Sequence, residues 1–164
     1  MEHIAREAKV SRTTIYRYFE NRDEVLTGVI VRALHVLTAE LFEKVNLTET
    51  FADFLVESLA LATEEAPRSP VFSVLLQEQN AVMSRIYIGS ADIIGIVNDF
   101  FLERFLRAQR NNELRDGIEF PQLVDWLIHV LTAYVLAPSP LRGSSEWRQM
   151  LYRFLVPSIV RESR

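Results

Sequence analysis

The chain has 164 residues, of which 49% are hydrophobic, so it is long and apolar enough to bury one domain core with a small appendage. Its formal net charge of −4 argues against a protein that coats nucleic acid over its whole surface. Because it contains no cysteine, disulfide frameworks and thiolate metal sites are excluded.

The charge is distributed unevenly along the chain. Residues 1–22 contain five basic and three acidic side chains, whereas the remainder contains 13 basic and 19 acidic ones. A mildly basic N-terminal segment attached to an acidic body is compatible with local contact to DNA, although this excess of positive charge is a weak signal by itself.

Two short helices joined by a tight turn are predicted for residues 4–19. Ile4, Ala5 and Ala8 lie on one face at helical spacing in the first helix. Val10 is expected to be buried in the turn, and the Ser11 hydroxyl can cap the N-terminus of the second helix. Proteins use this geometry to place one helix in the major groove of DNA.

The second of these helices has a polar outer surface. Ile15 and Phe19, four residues apart, form its apolar side. The side chains on its other faces can donate hydrogen bonds to phosphates and base edges, and they are Arg12, Thr13, Tyr16 and Arg17. Amphipathic helix pairs with a merely solvated outer face are also common, so the spacing alone leaves both interpretations open.

Everything periodic beyond residue 20 is helical. Asn21 followed by Glu24 has the form of a capping box, and it opens a long helix that ends near Val45. The apolar stripe of that helix consists of Leu26, Ile30, Ala33, Leu34, Leu37 and Leu41. Further helices are predicted from Thr50 to Pro67, from Ser69 to about Gln77, from Ser90 to about Arg110, from Pro121 to Ala137 and from Ser145 to Val160. With no convincing strand, the predicted fold class is all-α.

The run from Ile4 to Leu26 closely resembles the DNA-binding segment of the TetR (tetracycline-repressor-like) family of bacterial transcription regulators. The pattern of that segment is roughly I-A-x-x-A-G-V-S-x-x-x-(L/I)-Y-x-(Y/H)-F-x-x-K-x-x-L, and the chain matches it at Ile4, Ala5, Ala8, Val10, Ser11, Ile15, Tyr16, Tyr18, Phe19 and Leu26. It departs at Lys9, where the family usually has glycine, and at Arg22, where the family usually has lysine. A side chain at residue 9 costs energy if the turn requires a positive φ.

The resemblance implies two units. Residues 1–45 would form a helix-turn-helix DNA-binding segment with its connecting helix, and residues 46–164 would form a helical-bundle domain for effector binding and dimerisation. The residues implied in binding double-stranded DNA are Ser11 at the start of the recognition helix, Arg12, Thr13, Thr14 and Arg17 towards the bases, and Tyr16, Tyr18 and Arg22 towards the phosphates.

The DNA-binding head is expected to be incomplete. Members of the family carry another helix before this pair, and Met1 lies only three residues before Ile4. Met1 is then either an internal methionine taken as a start or the first residue of a truncated chain, and the sequence leaves both open. In this form we expect weak operator binding and easier local opening over residues 1–20 than in the body.

The last two predicted helices are unusually apolar. The helix from Pro121 is apolar on almost every face and therefore requires cover on every face. The cover comes either from the core of the same chain or from a second copy, and the resemblance favours a second copy, because TetR-family members pair these helices in a four-helix bundle. The implied homodimer interface consists of Leu123, Leu127, Val130, Leu131, Tyr134, Trp147, Leu151 and Phe154.

Aromatic residues are concentrated between the head and the last two helices. Apolar walls with a few polar groups are typical of small-molecule pockets, and ordinary cores have the same composition. The resemblance implies an effector pocket here, with Phe51, Phe54, Phe72, Tyr87, Asn98, Phe101 and Phe105 as its candidate lining. Between Phe51 and Tyr87 the only basic residues are Arg68 and Arg85, which weakly favours a small hydrophobic effector.

Nothing in the sequence indicates catalysis, a metal site or a cofactor. His3, His35 and His129 are far apart and lack neighbours at metal-ligand spacing, and neither a phosphate-binding glycine loop nor a nucleophile elbow occurs. No run approaches the roughly 18 uninterrupted apolar residues of a membrane span, and no signal peptide is recognisable. We therefore expect a cytoplasmic protein that is not an enzyme and does not engage a membrane.

The sequence thus predicts a ligand-responsive repressor that acts as a homodimer on a palindromic operator. Its two recognition helices would read successive major grooves roughly 34–36 Å apart. The alternative is a helical ligand-binding or interaction protein that has lost DNA binding through truncation.

Overall fold

The fold is all-α, as the sequence predicts. The computed structural model describes residues 1–77, 90–137 and 139–161, and this part of the chain contains no strand. Its helices are α1 (Glu2–Glu7), α2 (Arg12–Tyr18), α3 (Arg22–Val45), α4 (Phe51–Glu65), α5 (Pro70–Gln77), α6 (Ala91–Arg110), α7 (Phe120–Leu136), α8 (Ser145–Phe154) and α9 (Val156–Ile159), with a 3-10 turn at Ala66–Arg68.

Side-chain caps fix where the helices of the head begin. Ser11 Oγ accepts a hydrogen bond from the backbone N–H of Thr14 at 3.0 Å, at the start of α2. Asn21 Oδ1 accepts from the N–H of Glu24 at 3.0 Å, at the start of α3. The Glu24 carboxylate reaches back to accept from the N–H of Glu20 at 2.7 Å. Residues 20–24 therefore form a variant of the predicted capping box, in which the returning carboxylate binds one residue before the cap.

Two apolar clusters form the core. One joins α4, α6, α7 and α8 and includes Phe54, Leu127 and Trp147. The other joins α3 to α4, α5 and α6 and includes Leu34 and most of the stripe predicted for α3. Leu131 of α7 contacts both clusters. The long helix that follows the head is therefore also a wall of the body.

The C-terminal end of α3 is held by a buried arginine of α6. Arg104 donates from Nη1 to the carbonyl of Thr48 at 3.0 Å and from Nη2 to the carbonyl of Asn46 at 2.5 Å. Its guanidinium also lies 5.2 Å from the ring centroid of Phe54, and burial lowers its pKa from the usual arginine value. A charged group thus satisfies carbonyls of the C-cap and of the turn that directly follows α3.

Polar contacts tie α8 to α4. Arg148 donates to Glu57 at 3.0 Å and to Glu64 at 2.9 Å, and Tyr152 donates to Asp53. The hydrogen bond from Tyr152 lowers the pKa of Asp53. This carboxylate therefore stays ionised at pH values at which an ordinary aspartate is protonated. These contacts fix the orientation of α8 on the body.

Helix α3 is long and apolar enough, by length and composition alone, to cross a membrane, whereas we found no uninterrupted apolar run of that length in the sequence. Its apolar residues at positions 30, 34, 37, 41 and 45 are buried against the body. Arg32 and Glu40 lie on its exposed side. Val29, Val36 and Phe42 are exposed there as well. The buried stripe against the body is that of a core helix in a folded domain.

The turn between α1 and α2 contains a strained residue. Lys9 has a φ of 54°, in the left-handed region where a Cβ is unfavourable. We expect Lys9→Gly to stabilise the turn by up to about 1 kcal/mol, because the steric relief exceeds the extra freedom of glycine in the unfolded chain. Slower amide exchange over residues 1–20 would measure this gain. Lys9→Ala, which removes the charge and keeps the Cβ, serves as the control and should give no gain.

Candidate functional site

The outward surface of α2 carries most of the residues predicted to bind DNA. Buried Ile15 anchors the helix, and all its other side chains except the half-buried Thr14 are exposed. Five of the predicted residues border one shallow depression on this surface, namely Ser11, Thr13, Thr14, Tyr16 and Arg17. The side chain of Thr14 is half-buried and lies 2.8 Å from the Ser11 hydroxyl, so part of its polar capacity serves the cap.

Tyrosines hold the two arginines of α2 in place. The guanidinium of Arg12 lies 5.4 Å from the ring centroid of Tyr16, and a hydrogen bond with Tyr16 raises the pKa of Arg12. The guanidinium of Arg17 lies 4.9 Å from the ring centroid of Tyr18 and donates to its hydroxyl at 2.9 Å. Both cations are exposed and partly ordered by these rings, an arrangement suited to phosphates and base edges.

The head rests on α3 through an aromatic contact. The ring of Phe19, directly after α2, lies so close to Gly28 that a Cβ there would approach it to 3.3 Å. Arg22, predicted to hold a phosphate, is exposed at the first residue of α3. The predicted burial of Val10 is wrong, since its side chain is 42% exposed, and Ala8 is exposed too. The reason is that no described element packs over the turn.

An apolar cavity of about 80 Å³ lies between α3, α4, α6 and α7. Leu34, Leu37 and Leu41 of α3 form one wall, and residues of α7 such as Leu131 form another. Of the predicted pocket residues, Phe72 and Phe101 line it. The sequence predicts the leucines of α3 as a buried stripe. It does not predict them as pocket residues, because an apolar stripe has the same sequence pattern whether it lines a cavity or packs in a filled core.

Four predicted pocket residues lie elsewhere in the described structure. Phe51 packs against Phe54 and Phe105, with ring centroids 6.2 and 6.4 Å apart, and the three fill the core instead of lining the cavity. The reason is that the face of α4 that carries Phe51 and Phe54 packs directly against the face of α6 that carries Phe105. Asn98 borders a separate small depression beside Pro121. Tyr87 lies outside the described residues.

Within one protomer, α7 is covered on one side only, so the predicted cover of its outer face by a second copy stays a prediction. Trp126 on its outer face is 43% exposed, and His129 is exposed as well. Phe154, at the end of α8, is 72% exposed. Val130 is half-buried on the same outer face. Trp126 and Phe154, with the half-buried Val130, are therefore among the apolar side chains of α7 and α8 that a second copy could cover.

Four residues predicted for the dimer interface are instead buried inside the protomer. They are Leu123, Leu127, Trp147 and Leu151. The core between α4, α7 and α8 needs their volume, and the Trp147 ring packs edge-to-face on Tyr134 at 4.5 Å. Tyr134 and Leu131 are half-buried and also contact this core.

Comparison with known proteins agrees with this geometry. The family model described as bacterial regulatory proteins of the tetR family matches residues 1–29, which include α1, α2 and the first turns of α3. An HTH-type transcriptional regulator of Mycobacterium tuberculosis is 25% identical over 163 residues, which cover 97% of this chain and 74% of that protein, and it is found in both strains CDC 1551 and H37Rv.

A solved structure shares the fold. The transcriptional repressor QsdR of R. erythropolis, from the TetR family, superposes with a TM-score of 0.68 at 18% sequence identity, covering 99% of this chain and 86% of that chain. Residues 1–29 therefore match the tetR family model, and nearly the whole chain shares the fold of a TetR-family repressor.

Proposed function

We propose that the protein is a ligand-responsive repressor that binds a palindromic operator as a homodimer. One observation carries this proposal: α3 begins at the DNA-binding head and its leucines form a wall of the apolar cavity. A small hydrophobic effector in the cavity would contact the helix to which the head is attached. Typical allosteric couplings of about 1–3 kcal/mol would change DNA affinity about 5- to 150-fold.

DNA recognition is assigned to α2. Its exposed Arg12, Thr13 and Arg17 are proposed to reach base edges, together with the less exposed Thr14. Tyr16, Tyr18 and Arg22 are proposed to bind phosphates, with Ser11 at the start of the helix. Base contacts provide sequence choice and phosphate contacts provide affinity for any duplex.

Arginine substitutions separate these two roles. Arg22→Ala should weaken binding to the DNA flanking the protein's own gene and to random DNA alike, and reduce the salt slope by about one unit, because one phosphate contact is lost. Arg17→Ala should mainly reduce the ratio between the two affinities. Fluorescence anisotropy at several salt concentrations measures both effects.

Arg110→Ala is the matched control. This arginine is exposed at the end of α6, beyond Arg104, and therefore lies near the C-terminal end of α3, far from the head. The substitution should leave both affinities unchanged. Unaltered DNA binding in all three variants would refute the assignment of α2. If the unmodified protein binds no DNA while it binds apolar ligands, the alternative function as a ligand-binding protein without DNA binding is supported.

Dimerisation is assigned to the outer faces of α7 and α8. Trp126 and Phe154 are large apolar side chains exposed to solvent, and such groups mark interaction surfaces when they are contiguous. Pairing these faces around a twofold axis would bury them and set the separation of the two α2 helices.

We expect Trp126→Glu and Phe154→Glu each to convert a homodimer into a folded monomer, because a carboxylate would be desolvated at the interface. Sedimentation velocity at micromolar concentration measures the change. Leu47→Glu is the control, since Leu47 is 87% exposed between α3 and α4 and should leave the dimer intact. A wild-type protein that sediments as a monomer under these conditions would contradict the proposal.

A further inference from the structure

Two buried hydroxyl groups on the cavity wall lack a hydrogen-bond partner among the described residues. They belong to Ser58 of α4, which is only 2% exposed, and to Thr132 of α7. Both residues line the apolar cavity. Buried polar groups are almost always paired in native proteins, so two orphans on one cavity require an explanation.

The helical setting does not force these hydroxyls to remain unpaired. Thr38 of α3 lines the same cavity and donates to the carbonyl of Leu34 at 2.9 Å. Thr63 of α4 is equally buried and donates to the carbonyl of Ala60 at 2.8 Å. Serine and threonine in helices commonly bind a carbonyl three or four residues earlier in this way. Ser58 and Thr132 do not, so their donors are available to a molecule in the cavity.

We propose that the cavity binds an uncharged, mostly hydrocarbon molecule with one accepting oxygen, such as a ketone or ester carbonyl, to which Ser58 and Thr132 donate. A carbonyl oxygen has two lone pairs and can accept from both hydroxyls. This inference rests on the proposed effector function and specifies the chemical class of the effector.

The rest of the wall excludes charged ligands. Among the described residues that line the cavity, none carries a charge, and the only polar side chains are the three hydroxyls of Thr38, Ser58 and Thr132. An ammonium or carboxylate would lose its hydration there without a counter-charge. The volume of about 80 Å³ exceeds the roughly 10–15 Å³ that one water needs, so a single water would leave most of the apolar wall uncovered.

Three six-carbon probes test the proposal on the intact chain: hexane, methyl butyl ketone and hexanoate. Binding is measured by methyl NMR titration at neutral pH. We expect the ketone to bind and hexanoate not to bind. Ser58→Ala and Thr132→Val should each lower the affinity for the ketone about 3- to 10-fold, because one ordinary hydrogen bond is lost. The affinity for hexane should not change. Thr63→Val is the control, because this buried threonine of α4 is paired with the carbonyl of Ala60 and lies outside the cavity lining, and it should alter neither affinity.

The melting temperature of the ligand-free protein provides a second readout. Ser58→Ala removes an unpaired buried hydroxyl and should leave Tm unchanged or raise it. A marked fall in Tm would show that this hydroxyl is already satisfied in the folded protein and would overturn the inference.

The other outcomes separate the inference from the proposed function. Equal ketone affinity in Ser58→Ala, Thr132→Val and wild type overturns the donor role, and hexanoate binding as tight as ketone binding overturns the uncharged class. In either case the cavity remains a ligand site and the effector function stands. Failure of all three probes to bind overturns both the inference and the assignment of the cavity as the effector site.

Discussion

Arg104 holds the C-terminal end of α3, and the placement of the DNA-binding head depends on it. Its guanidinium satisfies carbonyls at that end of the helix, where the helix dipole also favours a cation. The 24 residues of α3 span about 36 Å, with the head at the far end. Leu37 lies about a third of the way from Val45 to Arg22, so a rigid pivot at the fixed end would make a displacement at the cavity about three times larger at the head.

The cavity lies where the two apolar clusters meet. Its lining includes Leu34 and Phe72 from one cluster and Leu59 and Leu127 from the other. An unfilled apolar volume costs about 24 cal/mol per Å³, so about 80 Å³ corresponds to roughly 2 kcal/mol of lost stability. This amount is similar to a typical allosteric coupling energy of about 1–3 kcal/mol. A ligand that recovers the lost packing in one arrangement of α3 and not in another would therefore be sufficient to change DNA affinity.

Local interactions made part of this structure predictable from the sequence. Ser11 and Asn21 cap helices through atoms only three residues away, and helical periodicity alone places Arg12 and Arg17 on an outer face. Tertiary packing decided the rest. Which side of an all-apolar helix meets the core depends on the neighbours that arrive from other helices, so the exposure of Trp126 had no sequence signal.

The paired and unpaired hydroxyls of the cavity show the same limit. Thr38 and Thr132 are both threonines within apolar helical segments, and only the structure distinguishes the one that binds its own helix from the one that does not.

The two sides of α7 connect the proposed effector site to the proposed subunit face. Leu127, Leu131 and Val135 line the cavity, whereas Trp126 and Ala133 lie on the exposed side of the same helix. In a close-packed interior, a helix displaced on one side must also change its contacts on the other. A ligand would then act on the head through α3 and on the partner subunit through α7, so the separation of the two recognition helices would respond to both movements.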